Sequence, residues 1–198
     1  MFTVCFLEFL GTMLFLFGII GTNVPVSIPF SLLASVVIFG DITGGHFNPA
    51  VTIGVFTTVG DYAKNFMFMV LIIISQILGG LAAIGLSYGG AWGKVNPSVP
   101  VLAPTDPETG KPEMGEKDGD FNMDLQVVIN EMMCTFIFVS VILMVKGEHT
   151  AGDRKGLAAA FVVVLTLLCC IAATNKFGAC FNPAVGIALT VNQILWLG

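Results

Sequence analysis

Charged residues are scarce in this sequence, since they make up 11% of its 198 residues, against about 25% in an average soluble domain. Ten of the 21 charged side chains fall between Lys94 and Asp124, so most of the chain is nearly uncharged. With a mean hydropathy of +0.92, the chain has too few polar groups to cover a water-soluble domain. The composition excludes disordered, fibrous and nucleic-acid-binding proteins and predicts a protein embedded in a lipid bilayer.

The sequence also lacks the groupings of residues that bind metals or catalyse reactions. Its five cysteines include no Cys-x-x-Cys pair, and its two histidines, His46 and His149, lie about a hundred residues apart. Most of the cysteines fall within apolar runs, where cysteine is typically a small buried hydrophobe. No Ser/His/Asp set, paired carboxylates or phosphate-binding loop is recognisable. We therefore expect no metal, no cofactor and no enzymatic activity.

Five apolar segments are candidate membrane spans, because a helix needs about 20 residues to cross about 30 Å of hydrocarbon. Two shorter apolar stretches each begin with Asn-Pro-Ala, one at Asn48 and the other at Asn182. About ten helical residues cover only half the bilayer, so we expect these stretches to be re-entrant half-helices. The predicted spans are 2–21, 26–40, 65–87, 125–145 and 156–173, and the predicted half-helices are 48–59 and 182–191.

The chain is expected to form a single domain, 1–198, with two repeats at about 1–90 and about 124–198. Between them, the segment at about 91–123 is acidic and rich in turn residues, which is typical of a long solvated loop. The short connections carry more basic residues on one side of the membrane, which predicts that this side is cytoplasmic. These residues are Lys64, Lys146, Arg154 and Lys155, against Lys176 on the other side.

The two repeats share an identical pentapeptide, Phe-Asn-Pro-Ala-Val, at 47–51 and at 181–185. The similarity extends upstream, because Glu8 and Glu131 are each followed four residues later by threonine. Each repeat is expected to contain an odd number of full spans, so the second must insert upside down relative to the first. Inverted repeats place their functional site near the midplane, where the interrupted helices meet.

Asn-Pro-Ala is suited to starting a helix inside a membrane. Asparagine is a preferred N-cap, and proline is tolerated at the first helical position. Two such starts that face each other bring their positive dipole ends to the midplane, which disfavours cations and protons. The small alanines Ala50 and Ala184 allow the two turns to approach closely. These features predict a pore for a neutral solute that forms hydrogen bonds.

The segment 43–52, Thr-Gly-Gly-His-Phe-Asn-Pro-Ala-Val-Thr, and its second copy resemble the pore loops of the aquaporin (major intrinsic protein) family. The resemblance extends from Glu8 to Val191 and implies an all-α membrane protein with an aquaporin-like inverted repeat, six spans and two re-entrant half-helices. It also implies a homotetramer whose subunits each conduct water or a small neutral solute. The expected pore-lining residues are Asn48, Asn182, His46, Ala50 and Ala184.

Two acidic residues and one histidine remain open to more than one interpretation. In the family, the glutamates that match Glu8 and Glu131 brace the pore loops by accepting hydrogen bonds. Membrane-buried carboxyl groups can also relay protons in transporters. His46 resembles a pore histidine of the family, although a histidine held only within its own loop fits the sequence nearly as well.

The outer filter departs from the pattern of the family. Members usually carry an arginine directly after the second Asn-Pro-Ala, whereas this chain has Val185. The remaining filter positions fall on Phe30, Cys170 and Ala179, so the expected filter has no charge and no strong donor. Loss of a guanidinium removes five donors and a permanent charge, and proton exclusion at the outer mouth therefore does not carry over.

The second repeat is shorter than the first, so five full spans are visible and the sixth is missing or truncated. Symmetry with the first repeat would place the end of a sixth span near residue 222, beyond Gly198. The favoured interpretation is a fragment, and the alternative is a shortened relative whose bundle a partner subunit completes. Two functions fit the sequence: a passive channel for water or a small neutral solute, and a non-conducting, aquaporin-like structural subunit of a larger membrane complex.

Overall fold

The computed structural model describes residues 1–21, 26–90, 121–147, 156–174 and 180–197. Within these ranges the chain folds into helices joined by short turns, and no strand is present. The helices are α1 (Phe2–Ile20), α2 (Ser27–Thr43), α3 (Pro49–Val59), α4 (Tyr62–Gly90), α5 (Phe121–Lys146), α6 (Leu157–Ala173) and α7 (Pro183–Leu197). The predicted all-α fold is confirmed.

The long helices follow the predicted membrane spans closely. In the described parts of the chain, three helices, α1, α4 and α5, are long and apolar enough to cross a membrane. Helices α2 and α6 have 17 residues each, which is the lower end of the length that spans a bilayer. Proline and glycine are absent from the interior of α5, which favours its unbroken length.

Helix α7 is longer than the predicted half-helix, which was expected to end near Val191. It runs for 15 residues from Pro183 to Leu197. After Gly186 it contains no glycine or proline, and therefore nothing in the local sequence ends it at Val191. At about 1.5 Å per residue, it is still shorter than a full span.

The two repeats pack against each other through their half-helices and second spans. Within the repeats, α1 packs on α2 and on α4, and α5 packs on α6. Between the repeats, α2 contacts α6, α3 contacts α5, and α4 contacts α7. Small residues allow the closest approaches, as is common between membrane helices. A Cβ on Gly79 would lie 2.3 Å from the carbonyl oxygen of Phe9 in α1.

Candidate pore between two facing helix N-termini

Both half-helices begin with the asparagine cap that the sequence predicts. Asn48 has extended backbone angles and its Oδ1 accepts a hydrogen bond of 2.8 Å from the backbone N–H of Ala50. Asn182 Oδ1 accepts the equivalent bond of 3.0 Å from Ala184 N–H. In both cases proline follows the cap, where its missing N–H costs no helical hydrogen bond. The local sequence therefore fixes where each half-helix starts.

The two asparagines also tie the opposing loops together. Asn48 Nδ2 donates to the carbonyl oxygen of Phe181, and Asn182 Nδ2 donates to the carbonyl oxygen of Phe47, each at 2.9 Å. Both asparagines are almost completely buried, so the half-helices meet tip to tip inside the bundle. An amide nitrogen carries two hydrogens, and these bonds use one on each asparagine. The second hydrogen is left for the adjacent cavity.

The phenylalanine before each asparagine adopts an unusual backbone conformation that sequence reasoning missed. Phe47 has φ of 46° and Phe181 has φ of 51°, which is the left-handed region that bulky residues avoid at a cost of about 1–3 kcal/mol. Each phenylalanine is held on both sides, because its N–H donates to a glutamate and its carbonyl accepts from the opposing asparagine. The only sequence signal was their place in the repeated pentapeptide.

Glu8 holds the first pore loop from the centre of α1. Its Oε1 accepts from the N–H of His46 at 3.0 Å, and its Oε2 accepts from the N–H of Phe47 at 2.8 Å. Gln76 Nε2 adds a bond of 2.8 Å to Glu8 Oε2 and also donates to Thr52 Oγ1. Glu8 is fully buried. The sequence analysis did not identify Gln76 as a site residue, although it is a polar residue within a predicted apolar span.

Glu131 makes the matching contacts in the second repeat. Its Oε1 accepts from Cys180 N–H at 2.7 Å, and its Oε2 accepts from Phe181 N–H at 3.1 Å. Unlike Glu8, it is only half-buried. These contacts favour bracing of the loops over proton relay, because both carboxyl groups are occupied as acceptors of backbone bonds.

Three cavities follow one another through the bundle and share lining residues. A vestibule of about 770 Å³ lies between α2, α5 and α6. It adjoins a central cavity of about 20 Å³ that both asparagines line, and a filter cavity of about 30 Å³ follows. The vestibule and central cavity share Gly45, and the central and filter cavities share Cys180. This order describes a candidate path across the membrane.

His46 and Cys180 occupy equivalent positions, two residues before the asparagine in each repeat. Both line the central cavity, and Cys180 also lines the filter cavity. His46 Nδ1 lies 3.2 Å from Thr52 Oγ1, so this histidine both faces the cavity and is held within its own loop. Sequence reasoning singled out Cys170 among the cysteines, as a filter position, and did not single out Cys180.

Ala50 and Ala184 contribute to the turns and not to the lining of the three cavities. Each donates its backbone N–H to the capping asparagine. Ala184 is 1% exposed, and its carbonyl oxygen faces Gly80 of α4. Their small size allows the close packing that the sequence suggested, and their place in the wall of the pore stays a prediction.

The predicted filter positions are only partly brought together. Val185 lines the filter cavity, whereas Phe30 is 59% exposed. Ile28 and Leu32, two residues on either side of Phe30, line the filter and central cavities instead. Residues four apart share a helix face, and the residue midway between them points the opposite way. The predicted filter position at Phe30 is therefore displaced by two residues from the face of α2 that lines the cavities.

The remaining two filter predictions fall elsewhere. Cys170 is buried between α5 and α6, with its Sγ 3.9 Å from the carbonyl oxygen of Cys134. Its neighbours Leu167 and Ile171 line the filter cavity in its place. Ala179 lies outside the described residues. Apart from Cys180, the side chains of the described residues that line the filter cavity are apolar. Within the described ranges no group of His, Cys, Asp and Glu could hold a metal ion.

An inverted repeat with facing half-helices and cavities that run through the bundle defines an integral, multi-pass membrane protein built as a channel. The chain belongs to the major intrinsic protein family, whose model matches residues 2–196. Members of this family are channels and not enzymes, which confirms the predicted absence of catalysis.

Individual relatives agree with this assignment. The chain is 31% identical to an Aquaporin Z from Photorhabdus laumondii, over 96% of this chain and 84% of that protein. It is also 31% identical to the glycerol uptake facilitator protein-like 6 of Lactiplantibacillus plantarum, over 91% of this chain and 79% of that protein. Among solved structures, the aquaglyceroporin from Plasmodium falciparum superimposes with a TM-score of 0.71 at 22% identity, covering 99% of this chain and 83% of that one.

Proposed function

We propose that this chain is a passive channel for water or a small neutral solute, which crosses the midplane between Asn48 and Asn182. The observation that carries the proposal is the pair of caps, each with one amide hydrogen left over, at the wall of one cavity. The names of the relatives, an Aquaporin Z and a glycerol uptake facilitator, support both kinds of solute.

The size of the central cavity favours passage in single file. Its volume of about 20 Å³ accommodates one water, which needs about 10–15 Å³. A solute oxygen at this point accepts from the two asparagine amides, so its own hydrogens point away from the midplane. The N-termini of α3 and α7 add positive potential at the same place. Both effects favour neutral molecules over cations.

The filter cavity extends the range of solutes in our proposal. Its wall includes Ile28, Ile171, Val185 and Leu189, and these side chains provide no hydrogen-bond donor. An apolar constriction penalises water, which loses hydrogen bonds there, more than it penalises a partly apolar solute. The channel therefore accepts small neutral solutes with some apolar surface as well as water.

Swelling of proteoliposomes tests the proposal directly. Purified protein is reconstituted, and stopped-flow light scattering follows the response to gradients of an impermeant osmolyte and of glycerol. We expect vesicles with protein to respond faster than empty vesicles in at least one of these gradients. Equal rates in both would contradict the proposal and favour the alternative function, a non-conducting structural subunit.

A variant of Asn182 locates the path. Asn182→Leu is expected to reduce the swelling rate at least about tenfold, because it removes the free donor and fills the cavity. The matched control is Asn130→Leu on α5, whose amide bonds Gln126 on an exposed surface. Since loss of the cap costs about 1 kcal/mol, Asn182→Asp serves as a second variant that keeps the capping oxygen. Unchanged swelling in both variants would show that solute passes elsewhere.

We also propose that α5 is covered by another helix in the assembly, in a homotetramer or by a partner subunit. The apolar residues Met132 and Phe136, one and five positions after Glu131 on α5, are 67% and 68% exposed. Lipid can cover such residues, but a half-buried Glu131 in hydrocarbon is costly. A neighbouring helix would shield it. Cross-linking between cysteines placed at position 136 tests the homotetramer. If no cross-link forms and the protein has the mass of a monomer in mild detergent, the homotetramer is contradicted.

A further inference from the structure

A lysine lies where the vestibule narrows into the central cavity. Lys146 is the last residue of α5, and its Nζ donates to the carbonyl oxygens of Gly44 and Gly45. Gly45 lines both the vestibule and the central cavity. The ammonium group is therefore held at the junction between the wide and the narrow parts of the candidate path.

The glycines that receive Lys146 form the turn between α2 and the first pore loop. Gly44 and Gly45 have φ of 88° and 60°, so this turn exposes consecutive carbonyl oxygens near the end of α2. Carbonyl oxygens at a helix C-terminus carry partial negative charge and attract cations. The turn thus fixes the position of the lysine charge on the path instead of leaving it free in solvent.

A purely structural role for Lys146 accounts for only part of this geometry. A lysine in the last turn of a helix stabilises that helix through its dipole, and a lysine at a span end sets membrane orientation. Neither role requires the side chain to reach carbonyls 101 and 102 residues away in sequence. Its side chain remains exposed at the vestibule wall, where its charge acts on entering solutes.

We infer that Lys146 is a specificity-determining residue, which excludes cations, hydronium included, from the central cavity. This inference rests on the proposed channel function and adds a charge selectivity that the apolar filter cavity does not provide. A fixed charge at the mouth of a narrow passage with low-dielectric walls acts on a cation that enters the passage, because water inside the passage screens the charge poorly. The charge that rejects cations is therefore on the vestibule side of the asparagines.

Among the described residues that line the vestibule, Asp41 carries the charge opposite to that of Lys146. It lies on α2, about one turn before Gly44 and Gly45, and lines the same cavity as Lys146. Neither side chain lines the central cavity, but Lys146 bonds Gly45, which does. The Asp41 carboxylate attracts cations into the wide part of the path. The two residues should have effects of opposite sign on cation flux.

Proton flux and swelling, measured on the same proteoliposomes, test this role. A potassium gradient with valinomycin drives protons, and an enclosed pH dye reports their entry. We expect Lys146→Gln to raise the ratio of proton flux to solute flux about tenfold or more, since a unit charge within about 10 Å changes a barrier by that factor at an effective dielectric of about 20. Lys146→Arg keeps the charge and should retain the wild-type ratio.

Two further variants control for charge and for position. Lys64→Gln removes an exposed lysine of α4 that does not line the vestibule, and it should leave the ratio unchanged. Asp41→Asn in the Lys146→Gln background should lower the proton flux. Should Lys146→Gln not be monodisperse in detergent, Lys146→Met preserves the length and apolar stem of the side chain and takes its place.

The outcomes separate this inference from the channel proposal. Normal swelling combined with a wild-type proton flux in Lys146→Gln would overturn the selectivity role and leave the channel intact. An equal rise in Lys64→Gln would also overturn it, because the effect would then reflect net charge and not position. Wild-type vesicles that swell no faster than empty ones would reject the channel and this inference together.

Discussion

Replacement of Glu8 by glutamine tests how strongly one side chain holds the first pore loop. Both carboxyl oxygens of Glu8 accept hydrogen bonds, from His46 N–H on one side and from Phe47 N–H and Gln76 Nε2 on the other. A glutamine amide must turn its NH₂ group toward at least one of these donors. The variant then loses a bond to a charged acceptor, worth about 1.5–3 kcal/mol, and leaves a buried N–H unpaired. We expect a loss of about 3 kcal/mol in the free energy of unfolding.

The inverted repeat supplies a matched control for this variant. Glu131→Gln disturbs only the bonds from Cys180 and Phe181, at a half-buried site where the unpaired group is less costly, so about 1 kcal/mol is expected. For a chain of this size, each kcal/mol lost from the free energy of unfolding lowers the melting temperature by about 2–4 °C. Thermal unfolding in detergent should therefore show a lowering of about 6–12 °C for Glu8→Gln and about 2–4 °C for Glu131→Gln. Equal shifts, or no shift for Glu8→Gln, would refute the bracing argument.

Two other substitutions address packing and the filter. Gly11→Ala should lower the melting temperature and the swelling rate, because a Cβ there would lie 2.1 Å from the ring of Phe47. Gly85→Ala is its control, with no atom within 4 Å of the added Cβ. Val185→Arg should place a donor and a charge at the filter cavity, and it is expected to lower glycerol flux more than water flux. An equal reduction of both fluxes would indicate general blockage and contradict a selective role of this cavity.

The meeting point of the two half-helices was largely predictable because its determinants are local. Asn-Pro dictates the start of a helix, and its repetition in two halves of opposite orientation brings the two starts together. The backbone of Phe47 and Phe181 was not predictable, since their left-handed φ is enforced by partners far away in sequence. The same applies to Lys146, whose acceptors lie about a hundred residues earlier in the chain.

The filter shows a different limit of sequence reasoning. Its predicted residues depend on the register of α2 and α6 relative to the two Asn-Pro-Ala motifs. A displacement of two residues along a helix moves a position from the inner to the outer face. The prediction therefore selected Phe30, whereas Ile28 and Leu32 line the cavities. Cys170 shows the same effect on a smaller scale, since the adjacent face of α6 supplies Leu167 and Ile171. A pattern of apolar residues cannot correct such an error, because both faces are apolar in a membrane helix.

The inverted repeat gives this pore a symmetric backbone and an asymmetric chemistry. The loops are held by equivalent bonds, from each asparagine to the opposite phenylalanine carbonyl and from each loop to its glutamate. At equivalent positions, however, one half presents His46 and the other Cys180. Among the described residues, charged side chains therefore line the vestibule, whereas the side chains that line the filter cavity are apolar except for Cys180. Symmetry of the backbone positions the asparagines, and in the proposed channel departures from symmetry in the side chains determine which solutes reach them from each side.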